Sequence, residues 1–220
     1  YPTNYIAEQS CEMLRGFAAG DAPFFLQCSF PDPHHPFTPP GRYWDMYRPG
    51  DVDLPYSFDA ELTDAPPPVR WLHAQRAKRP DQFKPGHGTF AVTHQEAREA
   101  LALNYGNIAC IDDAIGRVMT ELQRLGLADN TVVMFTSDHG DFLGDHWLGE
   151  KEFLLEQAVG VPLIVRDPRA AADVTRGTVD DRLTETIDAL PTFLQALGLP
   201  GAEHRLEGRS LIPLLHGENP

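Results

Sequence analysis

The segment from Thr131 to His146 restricts the fold more than any other. Thr131-Val132-Val133-Met134-Phe135-Thr136 is a short β-branched, apolar run, the pattern of a buried strand. Ser137-Asp138-His139-Gly140-Asp141 follows it with no linker. In open α/β sheets, sites gather just beyond the carboxyl ends of strands. Residues 136–146 hold three Asp and two His on a glycine-bearing loop. Those carboxylates would repel one another without a cation.

The neighbouring segments place this loop in an α/β domain. Residues 5–19 read as a helix with Ile6, Met13, Leu14 and Phe17 toward one face. Phe24 to Phe30 read as a buried strand, and a Pro/His loop runs from Pro31 to Pro40. Thr93 with Glu96 forms a capping-box signature. Ile108, Ile111, Ile115, Val118, Leu122 and Leu125 then recur at spacings of three and four, the apolar face of one long helix suited to packing on a sheet. Gly126 stands where a helix-ending glycine belongs. Pro162 to Arg166 is a further strand. Asp188 is expected to cap a helix closed at Gly198, and Ser210 to cap a short helix through Leu215. Continuous apolar strands alternating with amphipathic helices predict an α/β fold with a largely parallel sheet flanked by helices. Residues 41–92 are crowded with proline and show no period. They read as an insertion or as substrate-side loops, and residues 170–220 as a C-terminal helical part.

Composition narrows the partners. With 18 Lys and Arg against 32 Asp and Glu, the 220-residue chain carries a net charge of −14. Nucleic acid and anionic membrane surfaces are poor partners for it. An anionic small molecule is still compatible if a metal sits locally in the site. Three widely spaced cysteines, Cys11, Cys28 and Cys110, suggest reduced thiols rather than a disulfide framework. This suits a cytoplasm better than a periplasm. No apolar run reaches membrane-span length, and nothing in the sequence fixes or excludes a homo-oligomer.

Two constellations can carry chemistry. Asp138 and His139 offer an oxygen and a nitrogen ligand on one turn, with Lys151 soon after to clamp an anionic oxygen. Phe30-Pro31-Asp32-Pro33-His34-His35-Pro36-Phe37 lies beyond the other predicted strand, and prolines hold its imidazoles in place. A histidine there can act as a general acid or donate to an anion. Two residues do not complete a hard-cation site, since calcium takes 6–8 oxygen ligands and magnesium or manganese about six. For an isolated Asp-His-Gly the simpler reading, a turn cap beside a loop histidine, is the better one, and it is the neighbouring Asp, His and Lys residues that turn the balance toward a site.

Strand-Ser137-Asp138-His139-Gly140-Asp141-x-Leu143-Gly144-Asp145-His146 followed by Lys151 resembles the C-terminal signature of type I sulfatases. With the phosphonate monoester hydrolases, these belong to the alkaline phosphatase superfamily. Pro23-Phe24-Phe25-Leu26 running into Asp32-Pro33-His34-His35-Pro36-Phe37 resembles that family's mid-domain strand and histidine loop. Val161 to Val165, Asp188 to Thr192 and Leu206 to Leu211 resemble its later blocks in order. The resemblance implies an alkaline phosphatase-like α/β/α sandwich, present here as a partial domain over residues 1–220. It implies Asp138 and His139 as ligands to a divalent cation, Ca2+ or Mn2+, with Lys151 on the sulfate or phosphonate oxygens. His34 would serve the leaving group, and Asp145 and His146 would brace the loop.

The family nucleophile is a formylglycine made from a Cys-x-Pro/Ala-x-Arg motif. Cys11 to Arg15 has that spacing but carries Met13 at the Pro/Ala position, so it is rejected. The chain is expected to begin mid-domain, with the nucleophile and the first metal-binding aspartates upstream. The implied activity is hydrolysis of sulfate esters, as in arylsulfatases, or of phosphonate or phosphate monoesters. The alternatives are a catalytically inactive scaffold serving as a binding or structural module, and a sister phosphotransfer enzyme with a Ser or Thr nucleophile.

Overall fold

The computed structural model describes residues 1–59, 64–78, 90–201 and 203–218. Its helices are α1 (Pro2–Ala18), α2 (Pro67–Lys78), α3 (His94–Arg124), α4 (Glu156–Val159), α5 (Ala189–Ala196) and α6 (Ile212–Leu215). Its strands are β1 (Phe90–Ala91), β2 (Val133–Thr136), β3 (Leu148–Gly149) and β4 (Leu163–Arg166). The chain forms two compact units, residues 1–121 with 139–161, and residues 122–138 with 162–220. No helix among the described residues is long and apolar enough to cross a membrane.

In the first unit α1 runs beside α3. Thr3, Ala7, Ser10, Cys11 and Leu14 are buried at helical spacing. The α3 N-terminus is closed as its sequence predicts: Thr93 N–H donates to Glu96 Oε2 (2.7 Å), and Glu96 N–H donates to Thr93 Oγ1 (3.3 Å). The face that α3 buries most deeply differs from the one expected, although Leu122 of the expected row is buried too. Ala97, Leu101, Ala102, Asn104, Asn107, Cys110 and Ala114 are buried, whereas Ile108 is 47% exposed. Small residues let neighbouring backbone come close, which the bulkier isoleucine row cannot. At Gly106 a Cβ would collide with the Tyr43 carbonyl oxygen. Polar contacts bind the two helices along their length, from Tyr1 Oη donating to Asn107 Oδ1 (3.3 Å) to Arg15 Nε donating to Glu121 Oε1 (2.6 Å).

Two other expectations change here. Residues 24–30, expected as a buried strand, alternate half-buried and exposed positions and join no ladder among the described residues. An apolar aromatic run needs only one covered face to be stable. Within 41–92, residues 60–63 and 79–89 lie outside the described residues, yet the stretch is less irregular than its prolines suggest. Pro67 opens α2 at the first helical position, where the missing N–H costs nothing. β1 pairs antiparallel with β3. Around that pair, Phe58, Val69, Leu72, Val92, Ala97, Phe142, Trp147, Leu148 and Ala158 form one buried cluster.

In the second unit β2 pairs antiparallel with β4, from Val133 opposite Arg166 to Thr136 opposite Leu163. Both ladders of the described residues are thus antiparallel, where the sequence suggests a largely parallel sheet. Apolar runs announce strands but do not encode direction. Neither strand is fully covered: Phe135 is 40% and Ile164 64% exposed. Asp188 stands at the start of α5, but its carboxylate does not cap that helix. It accepts instead from Glu185 N–H (2.9 Å) and Arg209 N–H (2.7 Å). Gly208 is needed there because a Cβ would run into the Ile187 carbonyl. Ser210 Oγ accepts from Ile212 N–H (3.2 Å) at the start of α6. Gly126 and Gly198 both take the left-handed conformation that ends a helix, at φ +72° and +65°.

β4 leads into a buried charge cluster. Asp167, its side chain wholly buried, binds the Arg169 guanidinium through both oxygens (2.8 and 2.6 Å) and His216 Nε2 (3.0 Å). Burial alone would raise its pKa, but the hydrogen bonds from Arg169 and His216 outweigh that and hold it at about 2. The unfolded carboxyl titrates near 3.8. The stability it contributes is therefore complete above that value and is lost as pH falls toward 2. Between pH 5 and pH 2, urea unfolding should show the wild type losing about 2 kcal/mol more than Asp167→Asn.

Candidate functional site

The loop that begins at Ser137 leaves β2 and crosses from one unit to the other between Asp138 and His139. Asp138 belongs to the second unit, and its Oδ1 accepts from Ser137 Oγ at 3.4 Å. From His139 onward the loop is built into the first unit by backbone bonds. Gly140 N–H donates to the Ala158 carbonyl (2.8 Å), Phe142 N–H to the Glu150 carbonyl (2.9 Å) and Gly144 N–H to the Leu148 carbonyl (2.8 Å). The Gly140 position admits no side chain. A Cβ there would overlap the Gln157 carbonyl oxygen and lie 3.1 Å from its carbon, both backbone atoms of α4. Leu143, His146, Trp147 and Glu150 all take positive φ, between 44° and 71°. Four such residues in one loop are costly and need over-determined surroundings. Part of that support comes from Asp145, whose carboxylate accepts from Ser57 Oγ and from Gln157 Nε2 (3.3 Å), while Ser57 Oγ accepts from His146 N–H (3.1 Å). Asp145 therefore fastens the loop, as expected.

His34 and Lys151 meet, although 117 positions separate them. Lys151 Nζ lies 2.7 Å from His34 Nε2. His34 Nδ1 donates to the His35 carbonyl (2.7 Å), which leaves Nε2 as the lone-pair nitrogen facing the ammonium. The histidine loop is fixed from below. Asp32 accepts from Tyr1 Oη (2.9 Å) and Thr3 Oγ1 on α1, and the Pro33 carbonyl accepts from Asn104 Nδ2 on α3 (3.3 Å). His35 Nε2 lies 3.0 Å from Glu150 Oε1, and Lys151 Nζ 3.6 Å from Glu150 Oε2. Asp141 sits close to this group. Burial pushes its carboxyl up and Glu150 adds to that, while the hydrogen bond from Leu143 N–H, and after it Lys151 and His35, oppose it. Glu150 was not singled out from the sequence. Its only sequence signal is adjacency to Lys151.

His139 Nδ1 donates to the Gly140 carbonyl (2.8 Å), the tautomer that presents Nε2 to a metal. Carboxylate and imidazole suit a hard or borderline divalent cation in kind. They fall short in number, and among the described residues no group of three or more His, Cys, Asp or Glu converges as a ligand set. Cys11 is buried on α1, its thiol pushed up by burial and by Glu121, and Arg15 is committed to Glu121. Neither belongs to this group. Replacing Gly140 tests the packing of the loop. Gly140→Ala should destabilise the protein by about 3 kcal/mol in urea unfolding, because backbone rather than a side chain must yield.

The sulfatase family model matches residues 2–199. The chain is 33% identical over 222 residues to an arylsulfatase of Clostridium perfringens, covering 100% of this chain and 43% of that protein. It is 34% identical to the multifunctional alkaline phosphatase superfamily protein PehA of Trinickia caryophylli, covering 97% and 41%. Among solved structures, a phosphonate monoester hydrolase from Silicibacter pomeroyi superposes with a TM-score of 0.80 at 29% identity, over 100% of this chain and 42% of the other. The chain thus spans about two-fifths of the length of these relatives, and its fold is part of an alkaline phosphatase-like α/β domain. A family match over residues 2–199 makes this chain a member of the sulfatase family.

Proposed function

We propose that the protein containing this chain hydrolyses a sulfate ester or a phosphonate or phosphate monoester of a small molecule. A divalent cation, Ca2+ or Mn2+, and a formylglycine supplied outside residues 1–220 complete its site. The observation that carries this reading is the 2.7 Å approach of Lys151 Nζ to His34 Nε2, beside the loop that bears His139. Asp138 and His139 would hold the cation, which when bound polarises the anionic ester and helps activate the nucleophile.

This chain's own residues do the rest. Lys151 turns its ammonium from His34 to the non-bridging oxygens and stabilises the charge that develops there. His34 presents Nε2 to the same place and, once that nitrogen carries a proton taken from solvent, gives it to the leaving-group oxygen. Its Nδ1–H stays on the His35 carbonyl, so the ring does not need to reorient. An acidic chain of net charge −14 concentrates its attraction for an anion at this one lysine and the cation. The reading involves no nucleic acid and no membrane. The three cysteines, none in a disulfide, favour a cytoplasmic over a periplasmic location.

The test uses the full-length protein with aryl sulfate and aryl phosphonate esters. Lys151→Ala should lower kcat/KM roughly 10²–10³-fold. His34→Ala should lower kcat roughly 10²-fold or more, most for esters with poor leaving groups. Chelation should abolish turnover, and added Ca2+ or Mn2+ should restore it. Residues 1–220 alone should turn over neither ester. Full-length protein inert toward both with either metal would overturn the reading in favour of a scaffold without catalysis.

A further inference from the structure

Glu150 occupies a position that glycine or asparagine would take at lower cost. Its φ is +71°, in the left-handed region where a Cβ is strained. Its backbone carbonyl accepts from Phe142 N–H, a bond any residue could make. A long acidic side chain at such a place therefore needs a reason in the side chain itself. That side chain is only 11% exposed. One oxygen meets His35 Nε2 at 3.0 Å, and the other faces Lys151 Nζ at 3.6 Å. Lys151 in turn reaches His34 at 2.7 Å, and the rings of His34 and His35 lie 4.1 Å apart. The four side chains close a circuit: His35 to Glu150, Glu150 to Lys151, Lys151 to His34, and His34 beside His35.

We infer that Glu150, held by His35, is the positioning residue for Lys151: it fixes the ammonium beside His34 and offsets part of its charge. This rests on the reading of Lys151 as the group that meets the substrate anion. Two consequences follow from the geometry. The lysine side chain, 22% exposed, is kept from swinging into solvent. A carboxylate this close to the anion-binding ammonium also weakens its hold on a dianion more than on a monoanion. Glu150 thereby tilts the site toward esters with a single negative charge, without touching the substrate itself.

The experiment compares Glu150→Gln and Glu150→Asp with the wild type in the full-length protein at pH 8. Phenyl sulfate serves as the monoanion and phenyl phosphate as the dianion. In Glu150→Gln the ratio of kcat/KM for phosphate over sulfate should rise about tenfold, a change of about 1.4 kcal/mol. Glu150→Asp, which restores the charge, should bring the ratio back to within about threefold of wild type. A merely structural role would lower both substrates together and leave the ratio unmoved, and that result overturns the inference. A second readout needs no turnover. The rate at which an N-hydroxysuccinimide ester labels Lys151, followed by mass spectrometry, should rise at least about threefold in Glu150→Gln and in His35→Gln. Where the wild type hydrolyses esters, the ratio decides. Where it hydrolyses neither, the functional reading fails by itself, and the labelling rate alone decides whether Glu150 positions Lys151. Unchanged labelling in both variants overturns it.

Discussion

The approach of Gly140 to the backbone of α4 sets the rest of the site. With no Cβ, residue 140 can lie against the Gln157 carbonyl and give its N–H to Ala158. That contact fixes where the loop enters the first unit. The next bonds, Phe142 to Glu150 and Gly144 to Leu148, fold the loop back on itself around the buried side chains of Phe142 and Leu148. Four residues with positive φ are tolerated there because packing and hydrogen bonds leave them no cheaper arrangement. The loop then delivers Glu150 and Lys151 to the histidine loop as a preformed arrangement.

Charge is handled in the same way in both units. Two carboxylates that lose water have a fixed cationic or imidazole partner, Asp167 with Arg169 and His216, and Glu150 with His35 and Lys151, whereas buried Asp188 is satisfied by backbone N–H groups. Around Glu150 one ammonium, that of Lys151, stands between the carboxylate and the His34 imidazole.

Much of the fold was legible in local signals. The Thr93–Glu96 capping box, the glycines at 126 and 198, and the apolar runs of β2 and β4 are each decided by a few neighbouring residues, and each forms as read. Signals that depend on what lies opposite were not legible. The isoleucine row of α3 has the strongest period but is exposed at Ile108 and only half-buried at Ile111 and Ile115, because Asn104, Asn107 and Ala114 permit closer packing. The strands 131–136 and 162–166 carry no mark of direction. Pro67, read as part of an irregular stretch, starts a helix.

The site divides along the same line. The sequence by itself determined its chemistry: Asp138 and His139 on one turn, Lys151 soon after, His34 on a proline-held loop, and the ordered blocks that identify the family. Those are properties of residue type and spacing, which a linear reading can weigh. Only the tertiary structure decided that His34 and Lys151 are hydrogen-bond neighbours and that Glu150 and His35 hold them so. Contacts between residues more than a hundred positions apart depend on how the loops are anchored, by Asp32 to α1 for one and by Gly140 beside α4 for the other, and no local pattern encodes that meeting.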